Sequence, residues 1–480
     1  MLRLIPPAPP LTPAEQFALD TIVDLSRILL ADAGEGIVLH VRSEGGPTPT
    51  IAEARGRQWC IEPRDGVVTL QRPLLSLVAD IAGATQEQRT DAADRYGRVP
   101  PTENALVRTG DERDPVVGRI AAALRSAAIA SADRRPLLLL APWPNGKRWA
   151  MAMSHDLDVV SAWPVFTGLR LAELARKGDI ARATSVAASA LASIGRDPVW
   201  RAARRLLDTE RAHGVRSTWF IIAGTPTLAT MSAGDITYAP ESSLARRIMG
   251  AAAEDGHELG LHGSFAAFVS RETLAEQRAR LAAITGATVG GVRQHFLRMR
   301  PGVSHVAMAG AGFGYDSTFG FSERNGFRLG VADVVPVWDD RNQRVLDLQE
   351  APFVWMDRAL SKYRGIEDPA AWIDDALAIA RACREVDGLW TGVWHPNLDP
   401  ALGYPGAPLG FDSLLSGLLA HSPWAATLGE IVQWRRARRT VRAVAVVTDS
   451  SGPVRLRVPI DAPGLALEDA DGRPVPYVRV

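Results

Sequence analysis

Residues 148–158 have the sequence Arg148-Trp-Ala-Met-Ala-Met-Ser-His-Asp-Leu-Asp158, which begins apolar and ends charged. The apolar part, Trp149 to Met153, predicts a strand covered on both faces, because short apolar runs bounded by polar residues are typical of buried strands. Side chains two residues apart point the same way along a strand, so Asp156 and Asp158 should project together from its end. Two such carboxylates could divide the work of binding a metal and accepting a proton from water. Taken alone, Asp-x-Asp is more simply explained as a solvated acidic turn.

Strand-like and helical runs alternate from about residue 147 to residue 398. Such alternation predicts a parallel α/β structure, either a distorted (β/α) barrel of six to eight strands or a doubly wound sheet. After the first strand, we expect five more at Val215–Gly224, Gly256–Leu261, Gly291–Arg298, Tyr315–Phe319 and Leu389–His395.

Reactive side chains stand at the ends of four of these predicted strands. They are Asp156 and Asp158, His262, Arg293 and His295, and His395. Active sites of parallel barrels gather at the carboxyl ends of the strands, so these side chains should meet. Aspartate and histidine ligands suit Zn²⁺ or a similar divalent ion. Singly, each has a plainer explanation: a lone histidine is usually a hydrogen-bonded structural residue, and Arg293 could form an ordinary surface ion pair.

The two flanking regions differ from this central one. Residues 1–140 predict a mixed α/β N-terminal domain, whose first helix should begin with a capping box formed by Thr12 and Glu15 and stop at Gly34. Residues 438–480 contain short Val-rich runs between Gly and Pro turns, which predict a small antiparallel β module away from the site. The predicted domains are therefore 1–140, 147–400 and 438–480.

The net charge, the cysteines and the apolar runs bear on which partners and which location to expect. The 480 residues include 54 Lys plus Arg and 54 Asp plus Glu, so the zero formal charge gives no support for a nucleic-acid partner or a basic membrane anchor. The two cysteines, Cys60 and Cys383, have no metal-ligand spacing and imply no disulfide framework. We find no signal peptide and no run near the ~18 apolar residues of a membrane span, so we expect a cytoplasmic protein.

Four motifs in residues 147–398, about half of the chain, resemble the polysaccharide deacetylases, the NodB-homology domain of carbohydrate esterase family four. They are Ser154-His-Asp-Leu-Asp158, Gly256-His-Glu-Leu-Gly-Leu-His262-Gly-Ser264, Gly291-Val-Arg-Gln-His-Phe296 and Leu389-Trp-Thr-Gly-Val-Trp-His395. The second is the most specific. The segment from Tyr315 to Arg328 is also similar to a bacterial subgroup that carries an extra N-terminal domain.

The resemblance implies a metal-dependent hydrolase that removes acetyl from an N-acetylated sugar or polysaccharide. It implies a divalent metal, zinc by the family pattern, held by Asp158 and His262. The family has a second histidine four residues after the first, where this chain has Ala266, and His295 is the candidate replacement.

The resemblance also implies the catalytic roles. Asp156 would be the general base, Arg293 would orient it, and His395 would be the general acid. Phe296, through its backbone N–H, and Trp394 would contact the substrate.

Two alternatives remain open at the level of sequence. The chain could be a degenerate, non-catalytic carbohydrate-binding protein on the same scaffold, because a fold does not fix a function. It could also hydrolyse a small cyclic amide. The sequence does not identify the sugar, the role of the N-terminal domain or the oligomeric state.

Overall fold

The computed structural model of the chain describes residues 2–5, 7–30, 36–43, 46–132, 137–160, 163–195, 197–445, 454–458 and 462–479. Its N-terminal strands and helices are β1 (Leu2–Ile5), α1 (Pro13–Ser26), β2 (Ile37–Arg42), α2 (Ile51–Gly56), β3 (Ile61–Arg64), β4 (Val67–Gln71), α3 (Pro73–Ala82), α4 (Thr85–Arg89), α5 (Ala105–Thr109), α6 (Val116–Ser131) and β5 (Leu139–Leu140). The first four strands form a mixed sheet in the order β1-β2-β4-β3, in which only β3 and β4 pair antiparallel. The mixed α/β character expected from the sequence is therefore present.

Helix α1 begins as its sequence predicts and ends earlier. The Thr12 side chain accepts a hydrogen bond from the Glu15 N–H, and the Glu15 carboxylate accepts one from the Thr12 N–H, which completes the capping box. The helix ends at Ser26, because Arg27 adopts a left-handed conformation with φ of 68°. The buried Arg27 guanidinium pairs with Asp387 at 3.1 Å, so a tertiary contact fixes this end. The predicted stop at Gly34 is thus wrong for α1, and Gly34 itself lies outside the described residues.

The central region supplies most of the secondary structure. Its elements are β6 (Ala150–Leu157), α7 (Trp163–Arg176), α8 (Ile180–Leu191), α9 (Pro198–His213), β7 (Thr218–Ile222), α10 (Leu228–Ser232), α11 (Ser243–Glu254), β8 (Glu258–Gly263), α12 (Arg271–Thr285), β9 (Gly291–Gln294), α13 (Val303–Gly310), β10 (Tyr315–Asp316), β11 (Val335–Asp339), β12 (Arg344–Glu350), β13 (Trp355–Met356), α14 (Pro369–Glu385), β14 (Leu389–Val393), α15 (Ala407–Leu419), β15 (Trp424–Ala425) and α16 (Leu428–Arg439).

These strands form one curled sheet. Its order is β11-β12-β10-β9-β8-β7-β6-β14-β13, with β15 added beside β6. Every neighbouring pair is parallel except β11 with β12. Within the described residues the two edge strands, β11 and β13, do not pair with each other, so the barrel is open. This confirms the predicted distorted (β/α) barrel, but the sheet has ten strands, so the expected six to eight is wrong; the short strands β13 and β15 and the antiparallel edge strand β11 make up the difference.

Strand lengths follow pairing more closely than they follow apolar runs. Strand β6 extends past Met153 to Leu157, because residues Ser154 to Leu157 pair with β7. Strand β10 stops at Asp316, three residues before the predicted end, because the Asp316 carboxylate accepts the Thr318 N–H and turns the chain.

The C-terminal tail forms β16 (Arg442–Ala445), β17 (Val454–Arg457), β18 (Leu467–Glu468), β19 (Pro474–Val475) and β20 (Tyr477–Arg479). The expectation of an all-antiparallel module is wrong, because β17 pairs antiparallel with β16 but parallel with β20. Strand β18 pairs with β5, so the tail is joined to the end of the N-terminal region. The division into 1–140, 147–400 and 438–480 stays a prediction. None of the helices that the structure describes is long and apolar enough to cross a bilayer.

Asp24 of α1 joins the N-terminal region to the last barrel helix. Its carboxylate bonds to the guanidinium groups of Arg435 at 2.8 Å, Arg439 at 2.7 Å and Arg438 at 3.3 Å, all on α16. Burial alone would raise the pKa of Asp24, but the three arginines outweigh it and lower the pKa to about 2. The stability from this cluster is therefore present above the pKa of an unfolded aspartate and is lost as the pH falls towards about 2.

We expect Asp24→Asn to lower the free energy of unfolding by about 3–5 kcal/mol, because it removes the carboxylate that pairs with the buried Arg438 and Arg439, while Arg435 keeps its pair with Asp333. Denaturant titration at neutral pH measures this. The control is Asp20→Asn, one turn earlier on α1, where the exposed carboxylate accepts a hydrogen bond from Gln16 and has charge interactions of opposite sign with Arg442 and Asp24; its change should stay within about 0.5 kcal/mol. Equal effects of the two substitutions would contradict the assignment.

Candidate active site

Asp156 and Arg293 form a buried ion pair inside the barrel. The Arg293 Nη1 donates to Asp156 Oδ1 at 2.7 Å and to Ser154 Oγ at 2.9 Å. Its Nε and Nη2 donate to the carbonyl and the hydroxyl of Ser317, so the guanidinium is held on three sides. Burial would raise the pKa of Asp156, but Arg293, followed by His262 and His395, outweighs it and lowers that pKa. Asp156 is thus kept ionised, with Oδ2 unpaired by arginine.

A glycine of the second motif makes room beneath Arg293. A Cβ at Gly260 would lie 2.7 Å from the ring of Phe220, so only glycine lets that ring lie across the neighbouring strand. The Arg293 guanidinium stands 4.3 Å above the centre of the Phe220 ring. The ring supports the cation on a face that no carboxylate occupies.

Alternation along the strands separates site residues from core residues. On β6, Ser154 and Asp156 face Arg293, while His155 points the other way and contacts Glu210 of α9 at 3.1 Å. Trp394 is on the same outer side: it is 1% exposed, and its carbonyl contacts the His155 ring. The Trp394 side chain is therefore buried outside the cavity lining, and its assignment to substrate binding stays a prediction that this position does not favour. Its neighbour His395 faces the cavity, and adjacent strand residues face opposite ways.

Asp158, His262 and His295 come together beside Asp156. One ligand atom from each lies within 4.8 Å of the others. The Asp158 Oδ1 lies 3.2 Å from His262 Nε2 and 3.5 Å from His295 Nε2. Ala266, in the loop after β8, is exposed and offers no ligand. The structure thus places His295 where it can supply the third ligand, as the sequence suggested.

The hydrogen bonds behind these side chains suit a bound cation. The His262 Nδ1 contacts the carbonyl of Arg293 at 2.9 Å, and the His295 Nδ1 contacts the Asp235 carboxylate at 3.3 Å. Each Nδ1 therefore carries the proton, which leaves both Nε2 lone pairs facing Asp158. The Asp158 Oδ1 is buried without a hydrogen bond. Three electron-pair donors this close repel one another unless a cation lies between them, so the group fits a divalent metal.

His395 faces the same carboxylates from the segment that follows β14. Its Nδ1 donates to Asp357 Oδ1 at 2.6 Å, and its backbone N–H donates to Asp357 Oδ2 at 2.7 Å. Its Nε2 points to Asp158 Oδ2 at 3.7 Å and to Asp156 Oδ2 at 4.0 Å. Burial alone would lower the pKa of His395, but Asp357 and Asp158 outweigh it and raise that pKa. An imidazolium aimed at the cavity is the form that can donate a proton.

The N-terminal region builds one wall of the site. Phe296 stacks between the His295 ring, at 4.1 Å, and the Tyr96 ring, at 5.3 Å, measured between centroids. The Arg98 Nη1 donates to the Phe296 carbonyl and to the Tyr363 hydroxyl, both at 3.2 Å. These contacts hold Phe296 in a left-handed conformation with φ of 59°, which costs about 1–3 kcal/mol unless its surroundings enforce it.

The reactive carboxylates and imidazoles open onto one cavity of about 400 Å³. Its lining includes six of the site residues expected from the sequence: Asp156, Asp158, His262, His295, Phe296 and His395. Arg293 lies beneath the lining, in contact with Asp156. The use of Phe296 in substrate binding stays a prediction, which its place in the cavity wall permits.

Sequence reasoning did not find the partners that orient the site. Asp357 follows the short strand β13, so its place after an apolar extended run was a usable signal. Asp235 and Arg98 stand in loop segments without periodicity, and nothing local distinguishes them from surface charges. Their roles come from long-range contacts alone.

A second cluster, His305, Asp316 and Glu350, also brings three potential ligands within 4.8 Å. Here the Gly302 N–H donates to His305 Nδ1, so Nε2 carries the proton and faces Glu350 Oε2 at 3.3 Å. Burial and Asp316 raise the pKa of Glu350 well above its usual value. A protonated Nε2 cannot bind a metal, and the cluster is better explained as a buried proton-sharing triad.

Comparison with known proteins gives no match to a protein-family model and no match among curated proteins. Solved structures do match. A Mycobacterium smegmatis protein assigned by inference as a polysaccharide deacetylase is 21% identical, with a TM-score of 0.41, over 65% of this chain and 97% of that one. Puue allantoinase is 14% identical, with a TM-score of 0.40, over 61% of this chain and 92% of that one.

A carbohydrate esterase family four pseudoenzyme from Bacillus anthracis is 10% identical, with a TM-score of 0.28, over 60% of this chain and 66% of that one. Other matches include a family four domain of a xylanase and peptidoglycan deacetylases. The matches thus include the family that the motifs resemble. At these identities and scores they do not bear on activity, which must be argued from the side chains of this chain.

We expect His295→Ala to weaken divalent-metal binding by at least about 100-fold, since loss of a mere supporting partner of a ligand already costs ~10–100-fold. Titration of the metal-free protein with Zn²⁺ measures the dissociation constant. The control is His213→Ala, whose ring pairs with Asp412 outside the cavity and should leave zinc affinity unchanged. Zinc affinity that survives the loss of His295 would exclude it from the ligand set.

Proposed function

We propose that the chain is a metal-dependent hydrolase of a carbon–nitrogen amide bond that removes acetyl from an N-acetylated sugar or polysaccharide. The observation that carries the proposal is a carboxylate and an imidazolium that face each other beside the three candidate metal ligands. Asp156 Oδ2 and His395 Nε2 lie 4.0 Å apart, and each side chain is locked by its own ion pair. One is set to accept a proton and the other to donate one.

The metal site fits this chemistry. A divalent ion held by Asp158, His262 and His295 would polarise the acetyl carbonyl and lower the pKa of a bound water. The proposed cofactor is therefore a divalent metal, with zinc favoured by the two histidines and one carboxylate.

The protein side chains then handle the protons. Asp156 accepts a proton from the attacking water on Oδ2, while Arg293 holds Oδ1 and keeps the carboxylate oriented. His395 donates its Nε2 proton to the amide nitrogen as the C–N bond breaks, and Asp357 stabilises the imidazolium before transfer. The products are acetic acid, which ionises to acetate, and a free amine. The proton that Asp156 took from water then restores the proton that His395 lost, so one water is consumed and the protons balance.

The intact supporting partners favour an enzyme over a degenerate binding protein. A site kept only for binding would not need Asp235, Asp357 and Arg293 each aligned behind a reactive side chain at hydrogen-bond distance. These partners act on protonation and tautomer, which matter for proton transfer.

We expect Asp156→Asn to lower kcat for acetate release by about 10²–10⁴-fold, because the amide keeps the shape but cannot accept a proton. Zinc content should be retained, since Asp158 remains. The assay is acetate release from N-acetylated sugars, with zinc content and melting temperature measured on the same samples. Undiminished turnover by a folded, zinc-loaded variant would refute the role of Asp156.

The companion substitution, His395→Ala, separates chemistry from folding. Its loss of rate, also about 10²–10⁴-fold, should shrink for substrates whose leaving amine is less basic and needs less protonation. A purely structural role would reduce all substrates equally, in proportion to folded protein. If the protein hydrolyses a cyclic amide but releases no acetate from any sugar, the proposed amide hydrolysis is supported and the proposed sugar substrate is wrong.

A further inference from the structure

Two cations enter the cavity wall directly after Asp357. Arg358 follows this aspartate, and Lys362 lies in the π-helical turn Ala359–Tyr363. Both line the cavity that contains Asp156 and His395. Asp357 accepts the hydrogen bond from the His395 ring, so the chain that carries the two cations begins next to the reactive residues.

Other cations around this cavity are neutralised by carboxylates. Arg170 and Lys177 pair with Glu173 at 2.8 and 2.7 Å, and Arg98 pairs with Asp94 at 2.6 Å. These side chains therefore bring little net charge to a ligand.

Arg358 and Lys362 are different. Arg358 donates to the Tyr404 hydroxyl at 2.6 Å and to Asn397 Oδ1 at 2.7 Å, both neutral groups. In the part of the chain that the structure describes, neither cation has a carboxylate at ion-pair distance. Lys362 is exposed at the cavity. Partial desolvation, with the nearby Arg358 charge next, lowers the pKa of Lys362, while Asp158 acts in the opposite direction.

The carboxylates nearest to Arg358 and Lys362 already have other partners. Asp357 is bonded to His395, and Asp158 belongs to the metal group. Burial alone would lower the pKa of Arg358, but Tyr404, Asp357 and Asp158 outweigh it and raise that pKa, so these groups compensate part of its charge from beyond ion-pair distance. Two neighbouring cations without a direct ion pair still repel each other, and an anionic ligand would offset that repulsion.

Resting on the proposed deacetylation, we infer that Arg358 and Lys362 form an anion subsite, and that the substrate is an N-acetylated sugar bearing a carboxylate or a phosphate. Neutral N-acetyl sugars would lack the partner for this subsite and bind more weakly.

The test is ligand binding to the Asp156→Asn protein by titration calorimetry, which needs no turnover. The probes are N-acetylglucosamine, N-acetylglucosamine 6-phosphate and N-acetylmuramic acid. We expect both anionic sugars, or the one whose anion reaches the subsite, to bind more tightly than the neutral sugar. Adding Lys362→Met should lower the affinity for the anionic sugar about fivefold, the upper end for a partly exposed ion pair, and leave the neutral sugar unchanged.

The control is Lys147→Met, which makes the same change in net charge at a side chain that bonds the Ser422 carbonyl outside the cavity lining. It should not alter the preference. Equal binding of neutral and anionic sugars, or a preference that survives Lys362→Met because the anion binds elsewhere, would overturn the inference. Acetate release by the wild-type protein is measured separately. If the protein prefers anionic sugars but releases no acetate from them, the proposed deacetylation is wrong and the anion subsite is still supported.

Discussion

The contact between Arg293 and Asp156 is the constraint on which the site depends. A fully buried guanidinium must be paired, and Asp156, Ser154, Ser317 and the Phe220 ring together satisfy it. Because these partners come from β6, β7 and the segment after β10, the cation fixes the spacing of strands across the barrel. In return it keeps Asp156 ionised and aimed at the cavity. Removing the charge would disturb both the packing and the proton acceptor.

Orientation by second partners recurs around the site. Asp235 sets the proton of His295, the Arg293 carbonyl sets that of His262, and Asp357 sets that of His395. The first two arrangements leave a lone pair for a metal, and the third keeps a proton available for transfer. The same residue type therefore does different chemistry according to what stands behind the ring.

The sequence predicted the barrel and most reactive residues because both follow local rules. Apolar runs predicted the strands. Because active sites of parallel barrels form at strand ends, the residues at those ends were expected to lie together: Asp156, Asp158, His262, Arg293, His295 and His395. Trp394, which the family resemblance places in substrate binding, lies outside the cavity lining, on the opposite side of the backbone from its neighbour His395. Arg98, Asp235 and the pair Arg358 and Lys362 could not be predicted, because their roles arise from contacts between segments far apart in the chain.

The central claim is that His295 completes a metal site that the family pattern would build with a histidine at position 266. Anomalous X-ray diffraction at the zinc edge, on crystals of the zinc-loaded protein, tests this most directly. We predict one strong anomalous peak between Asp158, His262 and His295, and no zinc among His305, Asp316 and Glu350. A peak in the second cluster, or zinc held without His295, would contradict it.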